Sequence, residues 1–399
     1  MSQCRGGKGG AYFTLYHNFF CKMTKSFIDL IAESVARLLL SGAAPLNPAD
    51  SAPAAAESTG SPAPIEAAAD DEIPDSGAAK GPGVYRLANH EVQSIHSVAP
   101  KQWAVHQYGI RDVWAKYGVR GEGSRVAVID TGVNVGHPDL RHVIAHDMTG
   151  HGVADKQGHG SHCCGIVGAA ESGGVFGVAP QCDLHSFRVF DDAGYCDCAW
   201  IVRALREIME GKHGRFDVVS MSLGSETPSE EMRMVLLEMS ARGHLIVVAA
   251  GNDGSHRAAP GRLFGTIGYP AGFLSTIAVG STDRRRERSA FSSTGNKMVL
   301  TGPGQDITNC WSGPELYATT SGTSMACPFV AGCLALLVSH ARVAGLPAPT
   351  TETVTYSIAA SSVDIDSPGY DFNTGFGDID PARLIDAYEK FSRAPAALE

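Results

Sequence analysis

Positive charge is scarce in this 399-residue sequence, which has 32 Lys and Arg residues against 42 Asp and Glu residues and a formal net charge of −10 at pH 7. Because nucleic-acid binding usually requires a basic face, nucleic acid is not expected as a partner. The one basic cluster, Arg284–Arg288, contains Glu287 and lies between two predicted strands. We interpret it as a solvated loop.

Long apolar runs are also missing. No stretch reaches the roughly 18 uninterrupted apolar residues that a membrane span needs, so no transmembrane segment is predicted. Residues Phe27–Leu40 have apolar side chains at helical spacing, but Asp29, Glu33 and Arg37 interrupt them, unlike the uncharged core of a signal peptide. We predict an amphipathic helix within residues 1–40. Since no export signal is evident, the cytoplasm is slightly favoured and secretion stays open.

Disulfide spacing is missing as well, although the chain has 10 cysteines. Cys163 is adjacent to Cys164, and one residue separates Cys196 from Cys198. A disulfide joins residues that face each other from separate segments, which neither pair does. We therefore expect reduced thiols.

Aromatic residues nearly disappear between residues 41 and 83, where Ala, Pro, Ser and acidic residues dominate. Such a segment cannot bury enough apolar area to offset the entropy that it would lose on ordering, so we predict a disordered linker. From residue 84 onward the composition is that of a folded protein. We divide this part into an N-terminal arm, residues 84–102, and a folded domain, residues 103–392.

Apolar runs alternate with helical patterns along the folded domain. Predicted strands are 125–129, 184–190, 217–222, 245–249 and 276–279, and predicted helices are 160–170, 199–210, 228–242 and 324–341. Short runs of β-branched residues separated by helices are typical of a parallel sheet that helices cover on both faces. In such α/β folds the chemistry lies beyond the carboxyl ends of the strands.

Three polar residues, Asp130, His159 and Ser324, lie at ends of predicted elements. Each alone has an ordinary structural interpretation, as a turn former, a packed histidine and a helix N-cap. Together they are what acyl transfer by serine needs: a nucleophile, an imidazole that takes its proton and a carboxylate that orients the imidazole. Asn252, just after another predicted strand, adds an amide that can stabilise a developing oxyanion.

Five short motifs carry a family resemblance. They are Val128–Val133, Gly158–His162, Ser222–Gly224, Ala250–Asn252 and Gly322–Ala326. In this order they resemble the successive motifs of the subtilisin-like serine proteases, the subtilases. The resemblance implies a doubly wound parallel sheet and a serine endopeptidase that acts through an acyl-enzyme intermediate. It also implies that Asp130, His159 and Ser324 are the catalytic triad and that Asn252 belongs to the oxyanion hole.

The resemblance further implies a cleft for polypeptide substrates. We expect the protein to be a monomer. One strand would pair with extended substrate and form a wall of the specificity pocket, a second segment would form the opposite wall, and a glycine would close the far end. These residues are, respectively, Ser222, Leu223 and Gly224; Ala249, Ala250 and Gly251; and Gly268. The family's second substrate-pairing segment corresponds to Gly194–Cys198, which is bulkier here. Cys163 is typical of the proteinase-K-like branch, where a cysteine packs beneath the histidine.

A structural calcium ion is common in the family, and Asp139 matches one of its ligands. The loop expected to supply further ligands, Glu171–Phe176, is short and lacks Asn. Hard cations need six or more oxygen ligands. We expect no required cofactor and leave a calcium ion at Asp139 open.

Other functions remain open at this stage. The chain could be a catalytically silent subtilase fold that acts as a binding module, or it could pass the acyl group to other acceptors as a thioesterase or peptide ligase. A zinc site at His159, His162, Cys163 and Cys164 is disfavoured because no second ligand pair lies at metal-binding spacing.

Two roles are open for the arm. Tyr85, Leu87, Val92 and Ile95 give it apolar anchors, so it can pack on the surface of the domain. The same anchors would let it lie across the cleft as an intramolecular inhibitor.

Overall fold

The computed structural model describes residues 84–87, 90–98, 100–255 and 265–393, which belong to a unit that spans Ser76–Glu399. The helix predicted within residues 1–40 and the linker predicted at residues 41–83 lie outside the described residues. Both remain predictions.

The described part of the chain contains 13 strands. In chain order they are β1 (Val84–Leu87), β2 (Glu91–His96), β3 (Arg125–Asp130), β4 (Ile144–Asp147), β5 (Asp183–Arg188), β6 (Cys196–Asp197), β7 (Val218–Met221), β8 (Leu223–Gly224), β9 (Leu245–Ala249), β10 (Ile277–Thr282), β11 (Met298–Pro303), β12 (Ile307–Cys310) and β13 (Tyr317–Ser321).

Eight helices lie in the same described ranges. In chain order they are α1 (Trp103–Gln107), α2 (Ile110–Tyr117), α3 (His159–Gly168), α4 (Cys198–Met209), α5 (Glu230–Ala241), α6 (Thr323–Val343), α7 (Thr351–Ser361) and α8 (Pro381–Arg393).

Seven strands form one parallel sheet in the spatial order β11-β10-β9-β7-β3-β5-β4. Its neighbouring strands all run parallel, and β3 pairs with β7 from Val126 opposite Val218 to Ile129 opposite Met221. Strands β4 and β5 lie on one side of β3, and the later strands β7, β9, β10 and β11 lie on its other side. The strand order therefore reverses at β3. Ligand sites of open α/β sheets lie at such a reversal, beyond the carboxyl ends of the strands.

Successive residues of β3 face opposite sides of the sheet, as the period of a strand requires. Val126 and Val128 belong to one apolar cluster with residues of α3 and α6, whereas Ala127 and Ile129 belong to a second cluster with residues of α4 and α5. Both faces of the strand are buried, which explains its continuous apolar sequence. The predicted α/β fold, a parallel sheet with helices on both faces, is confirmed.

Helix α6 is buried from Thr323 to Ala341 and contacts β7, β9, β10 and β11. By length and composition alone it could cross a membrane, but its apolar window is entirely buried inside the protein. Packing against the sheet therefore accounts for its apolar sequence.

Two small antiparallel sheets complete the fold. In one, β1 lies between β6 and β8. In the other, β13 lies between β12 and β2. The arm thus contributes a strand to each small sheet, and β13 leads directly into α6.

Candidate active site

Asp130 and His159 come together at the carboxyl end of β3. Asp130 is the last residue of this strand, and His159 is the first residue of α3. Both side chains are fully buried, and Nδ1 of the imidazole lies 2.7 Å from Oδ1 of the carboxylate. The backbone N–H of Thr131 donates to the same oxygen at 2.8 Å. A carboxylate bonded at Nδ1 fixes both the orientation and the tautomer of an imidazole.

Ser324 is the second residue of α6, which packs against α3. Its carbonyl oxygen accepts hydrogen bonds from Ser222 Oγ at 2.9 Å and from Cys163 Sγ at 3.5 Å. The same sulfur lies 3.8 Å from Nδ1 of His159. One thiol therefore contacts both Ser324 and His159, which places these two residues in the same small volume.

Three side-chain atoms in this volume are buried without a hydrogen-bond partner among the described residues. They are Asp130 Oδ2, His159 Nε2 and Ser324 Oγ. A buried polar atom without a partner typically costs about 1–3 kcal/mol, so such a group calls for a functional explanation. Hydrogen bonds between a nucleophile and its base are often long in the free protein and tighten when substrate binds.

Burial sets the protonation states of the neighbouring groups. It lowers the pKa of His162 to about 3, so this ring is neutral near pH 7. It also raises the pKa of the Cys163 thiol well above its usual value. Because the thiolate is the reactive form of cysteine, burial disfavours Cys163 as a nucleophile.

The disfavoured zinc site is not assembled. Nε2 of His162 lies 3.1 Å from the carbonyl oxygen of Ile307 and 3.2 Å from that of Ala318, so backbone carbonyls occupy this nitrogen. Donor atoms of Asp130, His159 and Cys163 do lie within 4.8 Å of one another. In that trio, however, the imidazole nitrogen is already bonded to the carboxylate.

The side chain of Asn252 is oriented by Thr323. Its amide oxygen accepts hydrogen bonds from the backbone N–H and the hydroxyl of Thr323, both at 2.9 Å. The amide nitrogen of Asn252 lies close to Gly322, since a Cβ atom added to this glycine would be 3.2 Å from the nitrogen. An N–H donor is therefore held beside the first turn of α6, a position suited to binding an oxyanion.

The three segments predicted to line the specificity pocket meet next to this cluster. Gly268 N–H donates to the carbonyl of Ala250 at 3.1 Å, and Ser225 and Tyr269 exchange two backbone hydrogen bonds of 2.8 Å. Gly268 thus joins the strand that contains Gly224 to the segment that follows β9. The wall residues Ser222, Leu223, Ala249 and Ala250 are buried, and Gly224, Gly251 and Gly268 are partly exposed.

Comparison with known proteins agrees with this geometry. A family model described as the Subtilase family matches residues 121–377, a range that contains Asp130, His159, Asn252 and Ser324. The chain belongs to the subtilase family.

Curated proteins show the same relationship. The major intracellular serine protease of Bacillus subtilis (strain 168) is 36% identical over 241 residues, which are 57% of this chain and 72% of that protein. Subtilisin E of the same organism is 34% identical over 242 residues, 58% of this chain and 61% of that protein. The minor extracellular protease Epr, also from that organism, is 30% identical over 280 residues, 69% of this chain and 40% of that protein. The chain therefore matches less than two thirds of the length of the last two relatives.

In this subtilase, the arm pairs with the strand edges of the two predicted substrate-pairing segments. Tyr85 of β1 lies opposite Cys196 of β6, and Arg86 lies opposite Gly224 of β8. The side chain of Tyr85 is fully buried, in the apolar cluster that also contains Leu223. β1 is thus the middle strand of a sheet whose outer strands are the two predicted substrate-pairing segments.

The arm then passes His159. The ring centroids of His90 and His159 are 4.5 Å apart. Further along, β2 pairs with β13, and Gln93 Nε2 donates to Ser321 Oγ at 2.6 Å. Two of the predicted apolar anchors are wrong, because the side chains of Val92 and Ile95 are exposed by 39% and 50%. Backbone pairing, rather than apolar burial, holds this second half of the arm.

The residues around Asp139 do not fit calcium. The carboxylate is buried and accepts a hydrogen bond from the backbone N–H of Gly173, and the hydroxyl of Tyr317 lies 3.4 Å from its other oxygen and 2.6 Å from the carbonyl of Gly173. Among the described His, Cys, Asp and Glu side chains, those that group with Asp139 are His137 and Cys310. Nitrogen and sulfur are not calcium ligands, and one carboxylate is far from six oxygens. A direct hydrogen bond from the backbone N–H of Gly173 joins Asp139 to the loop that we expected to supply further calcium ligands.

Sequence reasoning missed two polar residues of the site, Thr131, which lies inside the motif Val128–Val133, and Asp155. An acidic residue shortly before a helix start is a recognised capping signal, so the position of Asp155 before His159 could have indicated its role. His90 carried no comparable signal, because nothing in the sequence fixes the register of the arm.

We predict that calcium does not stabilise this protein. A cation at 100 times its dissociation constant would add about 2.7 kcal/mol to the free energy of unfolding, and each kcal/mol raises the Tm of a domain of this size by about 2–4 °C. Thermal unfolding in excess calcium and in excess EDTA should instead give Tm values within about 1 °C of each other. A calcium-dependent rise in Tm that Asp139→Asn abolishes would contradict this prediction.

Proposed function

We propose that this subtilase is a serine endopeptidase that hydrolyses peptide bonds through an acyl-enzyme intermediate. The observation that carries the proposal is the buried 2.7 Å contact between Asp130 and His159, near the hydroxyl of Ser324, which has no hydrogen-bond partner among the described residues. A nucleophile, a base and an orienting carboxylate are the parts of a serine acyl-transfer site.

The proposed chemistry assigns one task to each residue. Ser324 Oγ attacks the scissile carbonyl carbon while Nε2 of His159 takes the hydroxyl proton, and the imidazolium is stabilised by Asp130. The amide of Asn252 and the N-terminus of α6 stabilise the oxyanion. The imidazolium then protonates the leaving amine, and water attacks the acyl-enzyme by the same route to release the acid and restore Ser324.

Several narrower assignments accompany this proposal. The pocket between Ser222–Gly224 and Ala249–Gly251, closed by Gly268, binds the side chain that precedes the scissile bond, and backbone pairing along the strand edge holds polypeptide substrates. The proximity of Cys163 to His159 supports a place in the proteinase-K-like branch. We still predict that the protein is a monomer and that its thiols are reduced. The cytoplasm is still slightly favoured as its location.

Ser324→Ala should abolish peptide hydrolysis and leave Tm nearly unchanged, because the lost hydroxyl has no hydrogen bond among the described residues. Removal of a triad serine typically lowers kcat about a million-fold. Ser339→Ala is the matched control: Ser339 is a buried serine of the same helix, and its Oγ donates to the carbonyl of Glu122 at 2.8 Å. This control should lose stability and keep kcat. Hydrolysis of a casein substrate by the Ser324→Ala protein at the wild-type rate would disprove the assignment.

Asn252→Ala should lower kcat by about 10²–10³-fold and leave KM nearly unchanged, since the amide acts on charge that develops during the reaction. Asn252→Asp distinguishes the contribution of the amide oxygen from that of the amide nitrogen. It retains an oxygen that can accept from Thr323 and removes only the N–H donor, so its kcat should fall at least as far. An Asp variant with normal kcat, or an effect confined to KM, would show that Asn252 serves substrate binding or packing instead.

We further propose that the arm inhibits the enzyme within its own chain. Three contacts support this role: the pairing of β1 with β6 and β8, the burial of Tyr85, and the position of His90 against His159. Each occupies a place that an extended substrate would need. The alternative is an arm that packs on the domain without blocking it.

Tyr85→Asp should release the arm, because a carboxylate is strongly disfavoured in an apolar pocket. Losing about 2 kcal/mol of apolar burial would raise the fraction of open clefts, and hence kcat/KM for a peptide substrate, by about 30-fold. Tyr85→Phe is the matched control, since the Tyr85 hydroxyl is buried without a partner in the described part of the chain.

The Phe variant should be as slow as the wild type. A chain that begins at Lys101 should fold and hydrolyse peptides at least as fast as the full chain. Equal kcat/KM in the wild type, the Asp variant and the shortened chain would favour a packing arm without an inhibitory role. A folded but inactive shortened chain would show that the arm builds the site.

A further inference from the structure

Asp155 is a buried carboxylate that receives five hydrogen bonds next to the proposed catalytic residues. Asp155 is only 3% exposed. Oδ1 accepts from Thr131 Oγ1 at 2.9 Å and from the backbone N–H groups of Gln157 at 3.0 Å and Gly158 at 2.8 Å. Oδ2 accepts from the backbone N–H of Ser161 at 2.8 Å and from its hydroxyl at 2.7 Å.

These bonds reach both sides of the Asp130–His159 contact. On one side, Thr131 follows Asp130 directly and donates its backbone N–H to the Asp130 carboxylate at 2.8 Å. On the other side, Gly158 and Ser161 flank His159 at the start of α3. Asp155 is therefore bonded to the segment after β3 and to the first turn of α3 at the same time.

Thr131 completes the connection. Its Oγ1 donates to Asp155 and accepts from the backbone N–H of Gly160 at 2.8 Å. The two segments are also too close for any larger residue at position 160, because a Cβ there would lie 2.2 Å from the carbonyl oxygen of Gly132. Neither segment can shift without breaking bonds to Asp155 or Thr131.

We propose that Asp155 is a positioning residue for the catalytic pair: acting through Thr131 and Ser161, it fixes the end of β3 and the start of α3 so that His159 stays aligned with Asp130 and Ser324. The proposal rests on the proposed serine endopeptidase function. Its physical basis is the steep dependence of catalysis on geometry, since a displacement of about 1 Å can lower the rate about 10²-fold.

Asp155→Asn tests this role with almost no change in volume. One carboxylate oxygen becomes an NH₂ group that must face N–H or O–H donors, so at least one bond to Thr131, Ser161 or the turn at Gly158 is lost. We expect kcat to fall by about 10–100-fold, with KM within about twofold of the wild type.

Asp217→Asn is the matched control for a loss of stability. Asp217 is also a buried carboxylate, but it precedes β7 at the opposite end of the sheet, where it accepts from Arg125 N–H at 2.9 Å and from Arg342 at 2.6 and 3.0 Å. Its substitution should lower Tm at least as much as Asp155→Asn and leave kcat within about twofold. If both variants lower kcat equally, the effect of Asp155 is one of general stability and the proposal is overturned.

Substitutions of Thr131 keep the proposal testable even if the Asp155 variant does not fold. Thr131→Ser retains the bridging hydroxyl and should retain kcat within about threefold, whereas Thr131→Val removes it and should lower kcat about as far as Asp155→Asn. The double variant should fall little further than either single one, because both break one connection. Fully additive losses, or a normal kcat in Thr131→Val, would overturn the proposed route.

Comparing Asp155→Asn with Ser324→Ala separates the positioning role of Asp155 from the proposed serine endopeptidase function. Hydrolysis that Ser324→Ala removes but Asp155→Asn leaves unchanged would overturn the positioning role alone. A wild-type protein without hydrolysis that depends on Ser324 would overturn both.

Discussion

The hydrogen bond between Asp130 and His159 joins the two elements on which the rest of the site depends. It links the last residue of β3, buried on both faces at the reversal of strand order, to the first residue of α3. Burial removes water from this contact, so its electrostatic energy is larger than it would be at the surface. Buried side chains have little room to reorient, so the proposed alignment of His159 toward Ser324 depends on the surrounding hydrogen bonds.

The proposed cleft depends on a second constraint, which is that β6 and β8 each offer a strand edge for backbone pairing. A strand edge binds extended backbone with little regard to sequence, as the proposed endopeptidase function requires. The same property makes the edge available to the enzyme's own chain. β1 fills both edges at once, and the buried ring of Tyr85 adds apolar area to the backbone pairing. The proposed inhibition by the arm would therefore use the same backbone pairing as the proposed binding of polypeptide substrates.

Patterns local in sequence were sufficient for much of this protein. The continuous apolar run of β3 and the long apolar stretch of α6 predicted the parallel sheet and its central helix, and both are present. The short edge strand β4 was not predicted, because Ile144–Asp147 mixes polar residues with exposed positions. The position of the arm and the bonds of Asp155 could not be derived either, since both depend on tertiary pairing between residues far apart in the chain. Asp139 shows the converse, a familiar motif whose expected ion does not fit the surrounding donor atoms.

Labelling by a fluorophosphonate probe tests most directly the proposal that Ser324 is an activated nucleophile in a cleft that the arm covers. The rate and site of labelling can be read by mass spectrometry of the intact and digested protein. We expect one adduct, on Ser324, that forms slowly in the wild type, faster in Tyr85→Asp and not at all in Ser324→Ala. A folded Tyr85→Asp protein that does not label, or that labels at another residue, would contradict it and favour a catalytically silent subtilase fold.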